Sequence, residues 1–126
     1  MGSRDVAEAM LAVLESGSVE ERVAVVSRPD VSEMVLMVAA GDVSVDVREG
    51  VARSRVATEK VLMKAMGDRA RWVRMAAAGN GSASEAVLMK AMRDGSADVR
   101  DVAARNVNAT EKVLMRAMAD ESADVR

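Results

Sequence analysis

Cysteine and histidine are both absent from this chain of 126 residues, which also holds one Trp, no Phe, no Tyr and a single Pro. The first absence removes disulfides, thiolate metal sites and thiol nucleophiles. The second removes the commonest metal ligand and the commonest general base. Any catalytic site would have to use paired carboxylates or a lysine, so the expectation is no enzyme, no metal and no cofactor. A lone aromatic also leaves little for base stacking, which makes nucleic acid a less favoured partner than protein. No apolar run approaches the roughly 18 residues that a membrane span needs, so a membrane partner is not expected. No signal-peptide pattern precedes the first charges, and a cytoplasmic location is the default expectation.

What remains is simple material. Half the residues are hydrophobic, so the core has to be assembled from Val, Ala, Leu and 11 Met. Charge is dense but balanced, 18 basic residues against 20 acidic, for a net of −2. A global field that gathers polyanions is excluded, and only a local basic patch is left.

The ordering of this material is periodic. "VLMKAM" occurs at 61–66 and 87–92, and "VLMRAM" at 113–118. "VLMVAA" (35–40) holds the same slot one period of 26 residues earlier. The spacing predicts one repeat domain over 1–126, with units at 9–34, 35–60, 61–86 and 87–112 and a half unit at 113–126.

Each unit reads as two helices. Ser32, Thr58, Ser84 and Thr110 are N-cap residues, each followed by a glutamate that the helix dipole favours in the first turn. Val61, Leu62, Ala65 and Met66 then share one arc, while Lys60 and Lys64 point away from it. Ser18, Ser44, Ser96 and Ser122 are expected to cap a second, shorter helix, which buries Val47 with Val51, Val73 with Ala77, and Val99 with Ala103. Gly79-Asn80 and Arg105-Asn106 are expected to end it in the left-handed conformation. No helix of this kind can bury its stripe alone, and stacked units can. The fold class expected is all-α: an α-solenoid, a right-handed superhelix whose second helices are short or 3₁₀.

The stretch "VRDVAARNVNATEKVL" (99–114) resembles the leucine-rich repeat variant family, whose repeats are related to HEAT-like repeats. The family's phrase carries prolines where this chain has Val107 and Thr110, and only Pro29 keeps one. The resemblance implies alternating helices in a curved superhelix and no catalytic residues. Some family members carry a cysteine-rich iron–sulfur segment, and nothing here has the ligands for one. Asp42 and Arg48, Asp68 and Arg74, Asp94 and Arg100, and Asp120 and Arg126 stand six apart and resemble the HEAT-type Asp/Arg ladder. Each arginine is expected to reach its own upstream aspartate across a turn. Ser16 replaces the aspartate in the first unit, as though a terminal copy needed less of the ladder.

Two columns have both structural and functional readings. Met37, Met63, Met89 and Met115 edge the first helix's apolar arc, where packing between units is the simpler reading and an adaptable binding surface the other. Lys64, Lys90 and Arg116 line its outer face, either as a solvated surface or as a strip for an acidic partner.

One unit departs from the pattern. Trp72 stands where the others have Asp46, Asp98 and Asp124, and Met75 where they have Glu49 and Asp101. Arg69 and Arg71 flank them, so "RARWVRM" carries +3 where "GSADVRD" carries −1. Ala70 gives up the capping serine, at an expected cost of about 1 kcal/mol. Trp and Arg are the residue types enriched at interaction hot spots. Trp72, Met75, Arg69 and Arg71, with Lys64 and Lys90, are therefore the candidate contact residues for a protein partner. The function expected is a scaffold for protein interaction, with phosphate-backbone binding through the local basic patch as the alternative. At the other end, Val113, Leu114, Ala117 and Met118 keep the interior pattern, so an open C-terminal face is expected to pair with a second copy, continue into further chain or be covered by a partner.

Overall fold

The computed structural model describes residues 2–126, with every side chain among them except that of Ser3. Among the described residues there are nine α-helices and no strand. They are α1 (Ser3–Ser16), α2 (Val19–Val26), α3 (Glu33–Ala39), α4 (Val45–Arg53), α5 (Glu59–Met66), α6 (Arg71–Ala78), α7 (Glu85–Ala91), α8 (Ala97–Ala104) and α9 (Glu111–Met118). The odd-numbered helices pack on one another in order, the even-numbered helices do the same, and consecutive helices join the two rows. No helix is long and apolar enough to cross a membrane.

The first helix of each unit starts as its sequence dictates. Ser32, Thr58, Ser84 and Thr110 accept hydrogen bonds from the backbone N–H of Val35, Val61, Val87 and Val113, satisfying a donor that the first turn leaves orphaned. The predicted arc is the buried one: Val61 and Leu62 lose all exposure, and Ala65 and Met66 nearly all. The methionine column is half-buried at Met37, Met63 and Met89, packed against the core. That is the packing reading, and it fails only at Met115, which is exposed.

The second helices differ from expectation. All are α-helical; only α2 is shorter than its partner, 8 residues against 14 in α1, while the later ones are at least as long, 9 in α4 against 7 in α3 and 8 in α8 against 7 in α7. Their burial pattern is as predicted, with Val47, Val51, Val73, Ala77, Val99 and Ala103 all in the core. Close approach is built in at Gly50, where a Cβ would stand 2.8 Å from Val26 Cγ2, so α2 and α4 meet nearly backbone to side chain.

Their caps differ too. Ser18 makes the full capping box with Glu21, and Ser44 accepts from Asp46 N–H, but Ser96 makes no side-chain cap bond. Ser122 caps no helix, since residues 122–125 form only a turn. The constant feature is the preceding aspartate. Asp42, Asp68, Asp94 and Asp120 accept through Oδ1 from the N–H of residues 44, 70, 96 and 122. Ala70 therefore forfeits no cap bond that Ser96 makes, though it lacks the one that Ser44 makes.

The helix ends are a further correction. No described residue, glycine or other, has positive φ, and Gly79 ends α6 at φ −89°. Asn80 and Asn106 are not left-handed terminators. Both are buried, and their amides tie one unit to the preceding one: Asn80 Nδ2 donates to the carbonyls of Ala52 and Ser54, and Asn106 Nδ2 to those of Ala78 and Asn80.

Candidate functional site

The Asp/Arg columns form a ladder, but with a register other than the one expected. Arg48 Nε donates to Asp68 Oδ2 at 2.9 Å, in the following unit. Arg22–Asp42, Arg74–Asp94 and Arg100–Asp120 repeat this geometry at 2.8–3.0 Å. What each arginine takes from the residue six positions upstream is a backbone carbonyl: Nη1 of Arg48, Arg74, Arg100 and Arg126 donates to the C=O of Asp42, Asp68, Asp94 and Asp120. Each aspartate thus serves two neighbours, capping its own turn and holding the preceding arginine. The Asp120 carboxyl is accordingly held below its ordinary value, first by the Arg100 hydrogen bond and then by the Ser122 N–H. No guanidinium of the complete rungs is free for phosphate. Of the ladder arginines, Arg126 alone has no carboxylate partner among the described residues.

Trp72 lies on the same even-numbered row, two residues before Arg74 on α6. The residue is 59% exposed near the start of α6. The Arg71 guanidinium sits 5.2 Å from the ring centroid, a cation–π distance, and reaches Asp98 at 3.5 Å. Positions three and seven further along the same face are Met75 and Gly79. The sister faces carry Asp46, Glu49 and Arg53 on α4, and Asp98, Asp101 and Arg105 on α8 and the residue after it. On both sisters the last two residues are paired, Arg53 with Glu49 at 2.7 Å and Arg105 with Asp101 at 2.9 Å. The central face is apolar between two ion-paired ones.

A shallow cleft of about 480 Å³ opens there, lined by Arg53, Arg55, Trp72, Met75, Gly79 and Val102 among others. The structure therefore brings two of the six candidates, Trp72 and Met75, into one cleft. Arg71 touches it only through the indole. Arg69 is exposed but does not line it, and Lys64 and Lys90 are exposed on the odd-numbered row without lining it. Arg53, Arg55 and Gly79 are the lining residues that the residue types alone did not single out. Aligning the units column by column reveals Arg53 and Gly79: the column Ser27, Arg53, Gly79, Arg105 loses its side chain only beside Trp72.

A second surface lies at α9. Leu114 and Met118 are 45% and 72% exposed, whereas their counterparts Leu62, Leu88, Met66 and Met92 are all in the core. In each of those counterparts the following unit covers the face that α9 leaves open.

Among the described residues, no group of three or more His, Cys, Asp or Glu side chains is placed to hold a metal ion. No protein-family model matches the chain, and neither a curated protein nor a solved structure gives a significant match to it.

Proposed function

We propose that this chain is an α-solenoid of the leucine-rich repeat variant and HEAT-like kind, a right-handed superhelix of 26-residue units. Its role in this reading is that of a non-enzymatic scaffold that binds a protein partner through the Trp72 cleft. The architectural half is supported by the ordered packing of odd on odd and even on even helices. It is supported too by two hydrogen-bonded ladders that step from unit to unit. The functional half rests on one observation: a largely exposed tryptophan, with Met75 and a glycine below it, occupies a face that is charged in both neighbouring units. Folding accounts for the recurrent aspartates, arginines and asparagines, and it does not account for this indole. Affinity capture from the source cells with wild type and Trp72→Asp tests the reading. A partner retained by wild type and lost by the folded variant supports it. Identical capture by both sinks it.

The uncovered face of α9 favours a second reading, in which copies of the chain associate through Leu114, Met115 and Met118. The two readings use different surfaces and are separable by substitution.

A further inference from the structure

Resting on the reading of the Trp72 face as an interaction surface, we infer that its ligand is an acidic peptide segment carrying a bulky apolar side chain. Charge is the first argument. The lining of the cleft includes two guanidiniums, of Arg53 and Arg55, and no carboxylate. Arg55 has no ion-pair partner among the described residues, and Arg53, though paired with Glu49, keeps 68% of its side chain exposed. Arg71 holds the indole from a third direction with its side chain half exposed. The bias extends beyond the lining: residues 51–86 hold seven basic residues against three acidic, inside a chain that is acidic overall. The nearest carboxylates, Glu49 and Asp98, are engaged by Arg53 and Arg71, so the groups that line the cleft itself favour an anion.

Shape supplies the second argument. Trp72, Met75, Ala76 and Val102 give an apolar floor, and Gly79 leaves empty the position that Arg53 and Arg105 fill in the sister units. The volume falls within the roughly 300–1,000 Å³ of ligand clefts, yet the cleft is too shallow to enclose a small molecule. It suits one side chain of a longer ligand. A neighbouring depression of about 670 Å³, between α2 and α4, shares Arg53 and Arg55 with it and adds Arg28, with Asp46 and Glu49 also in its lining. The two arginines thus stand midway along a trough, where an extended segment would pass carboxylates over them while its apolar residue rests on Trp72. Nucleic acid fits less well, because one indole is the whole stacking platform.

The test uses the full chain and a synthetic peptide probe with a central leucine flanked by glutamates and aspartates, followed through Trp72 fluorescence. Companion peptides exchange the acids for lysines, or the leucine for serine, and a single-stranded oligothymidylate is titrated in parallel. The expected result is saturable binding of the acidic leucine peptide, about tenfold or more tighter than either companion, as loss of a charge pair or of the anchor predicts. Arg55→Glu and Gly79→Arg should each weaken it by a similar factor while far-ultraviolet circular dichroism stays unchanged. The lysine peptide binding equally well would overturn the acidic specificity and leave the Trp72 surface standing. No response to any peptide would overturn both. Tighter binding of the oligonucleotide, with a steep loss on adding salt, would replace the peptide by a polyanion.

Discussion

Arg48 and Asp68 lie 20 residues apart and form a nearly buried pair, Nε to Oδ2 at 2.9 Å, with about 8% of each side chain exposed. The same guanidinium donates to the Asp42 carbonyl at 2.8 Å, so one side chain clamps the turn of its own unit to the turn of the next. Removing one partner of such a pair strands a buried charge, which is the costly way to break it. Arg48→Ala is therefore expected to lower unfolding free energy by about 3 kcal/mol. Arg126→Ala, whose guanidinium is exposed and has no carboxylate, should change it by less than about 0.5 kcal/mol. Urea unfolding of the two variants decides, and equal losses would mean that the carbonyl contact rather than the ion pair carries the clamp.

That register shows what a periodic sequence conceals. In a 26-residue repeat, an arginine six residues after one aspartate is also 20 residues before the next. Both spacings recur in every unit, so the internal copies cannot choose between them. Only the ends break the tie. Arg22 has Ser16 rather than an aspartate six residues upstream, yet it is paired forward to Asp42. The missing aspartate at Ser16 marks the direction of pairing rather than a weaker ladder. By contrast, the N-caps of α3, α5, α7 and α9 and the buried arcs of α3, α5 and α7 depend on residues within one helix turn, and they were legible. The length of the second helices was not, because Val, Asp and Arg there have middling helix propensity and packing against the neighbouring row decides. The Trp72 cleft was half legible: its indole stood out by residue type, whereas Gly79 contributes by what it lacks.

The asparagine ladder predicts a stabilised variant. Asn80 reaches back 28 and 26 residues to two carbonyls, and Asn106 does the same. Ser54 holds this column one unit earlier and is buried, but its hydroxyl only accepts locally from Val56 N–H. Ser54→Asn would point an amide at the carbonyls of Val26 and Arg28, the equivalent acceptors. A gain of about 1 kcal/mol is expected from the added bonds, against a loss of about 2 kcal/mol for Asn80→Ala, which strands two acceptors. Thermal melts of both variants check the signs, and a destabilised Ser54→Asn would show that the first two units do not keep the spacing of the others.

Acid should loosen the last rung of the ladder. The Asp120 carboxyl, with an ordinary value of 3.8, is lowered in the folded chain, and Glu21 is lowered by its capping-box bonds to Ser18. A folded-state value below the unfolded one means the unfolded chain takes up the proton first as pH falls. The stability these groups contribute is complete above their ordinary values and drains away as pH drops through the folded ones. Melting temperature should be flat near neutrality and decline below about pH 5. Asp120→Asn should melt lower at neutral pH and show a shallower acid decline. Parallel curves for variant and wild type would remove Asp120 from the acid response.

Trp72→Asp restores the residue of the sister units, and its effect on folding is a balance of small terms. The indole's stacking on Arg71 is worth about 0.5–1 kcal/mol at an exposed site. A carboxylate in the first turn of α6, which has no acidic residue there, returns roughly 0.3–1 kcal/mol through the helix dipole. The net change expected is within about 0.5 kcal/mol, so any loss of binding in this variant reports on the surface and not on the fold. In the wild type, emission should be red-shifted and readily quenched by acrylamide. Blue-shifted, protected emission at every concentration would place the indole in packing and remove it as a contact residue.

The α9 face makes the last expectation concrete. Leu114, Met115 and Met118 form an apolar strip at i, i+1 and i+4, all exposed, while the same columns in the preceding units are buried or half-buried against a following unit. Nothing on this strip is polar, and contiguous exposed apolar surface of this kind favours association over solvation. Sedimentation velocity of the chain should show dimers whose fraction falls on dilution. Met118→Lys, placed at the most exposed of the three positions, should shift the population to monomer without lowering helix content. Trp72→Asp should leave the dimer intact, because Trp72 stands on the even-numbered row and α9 on the odd. A wild type that stays monomeric at the highest attainable concentration would rule out self-association through this strip, and a dimer lost in Trp72→Asp would move the contact to the cleft.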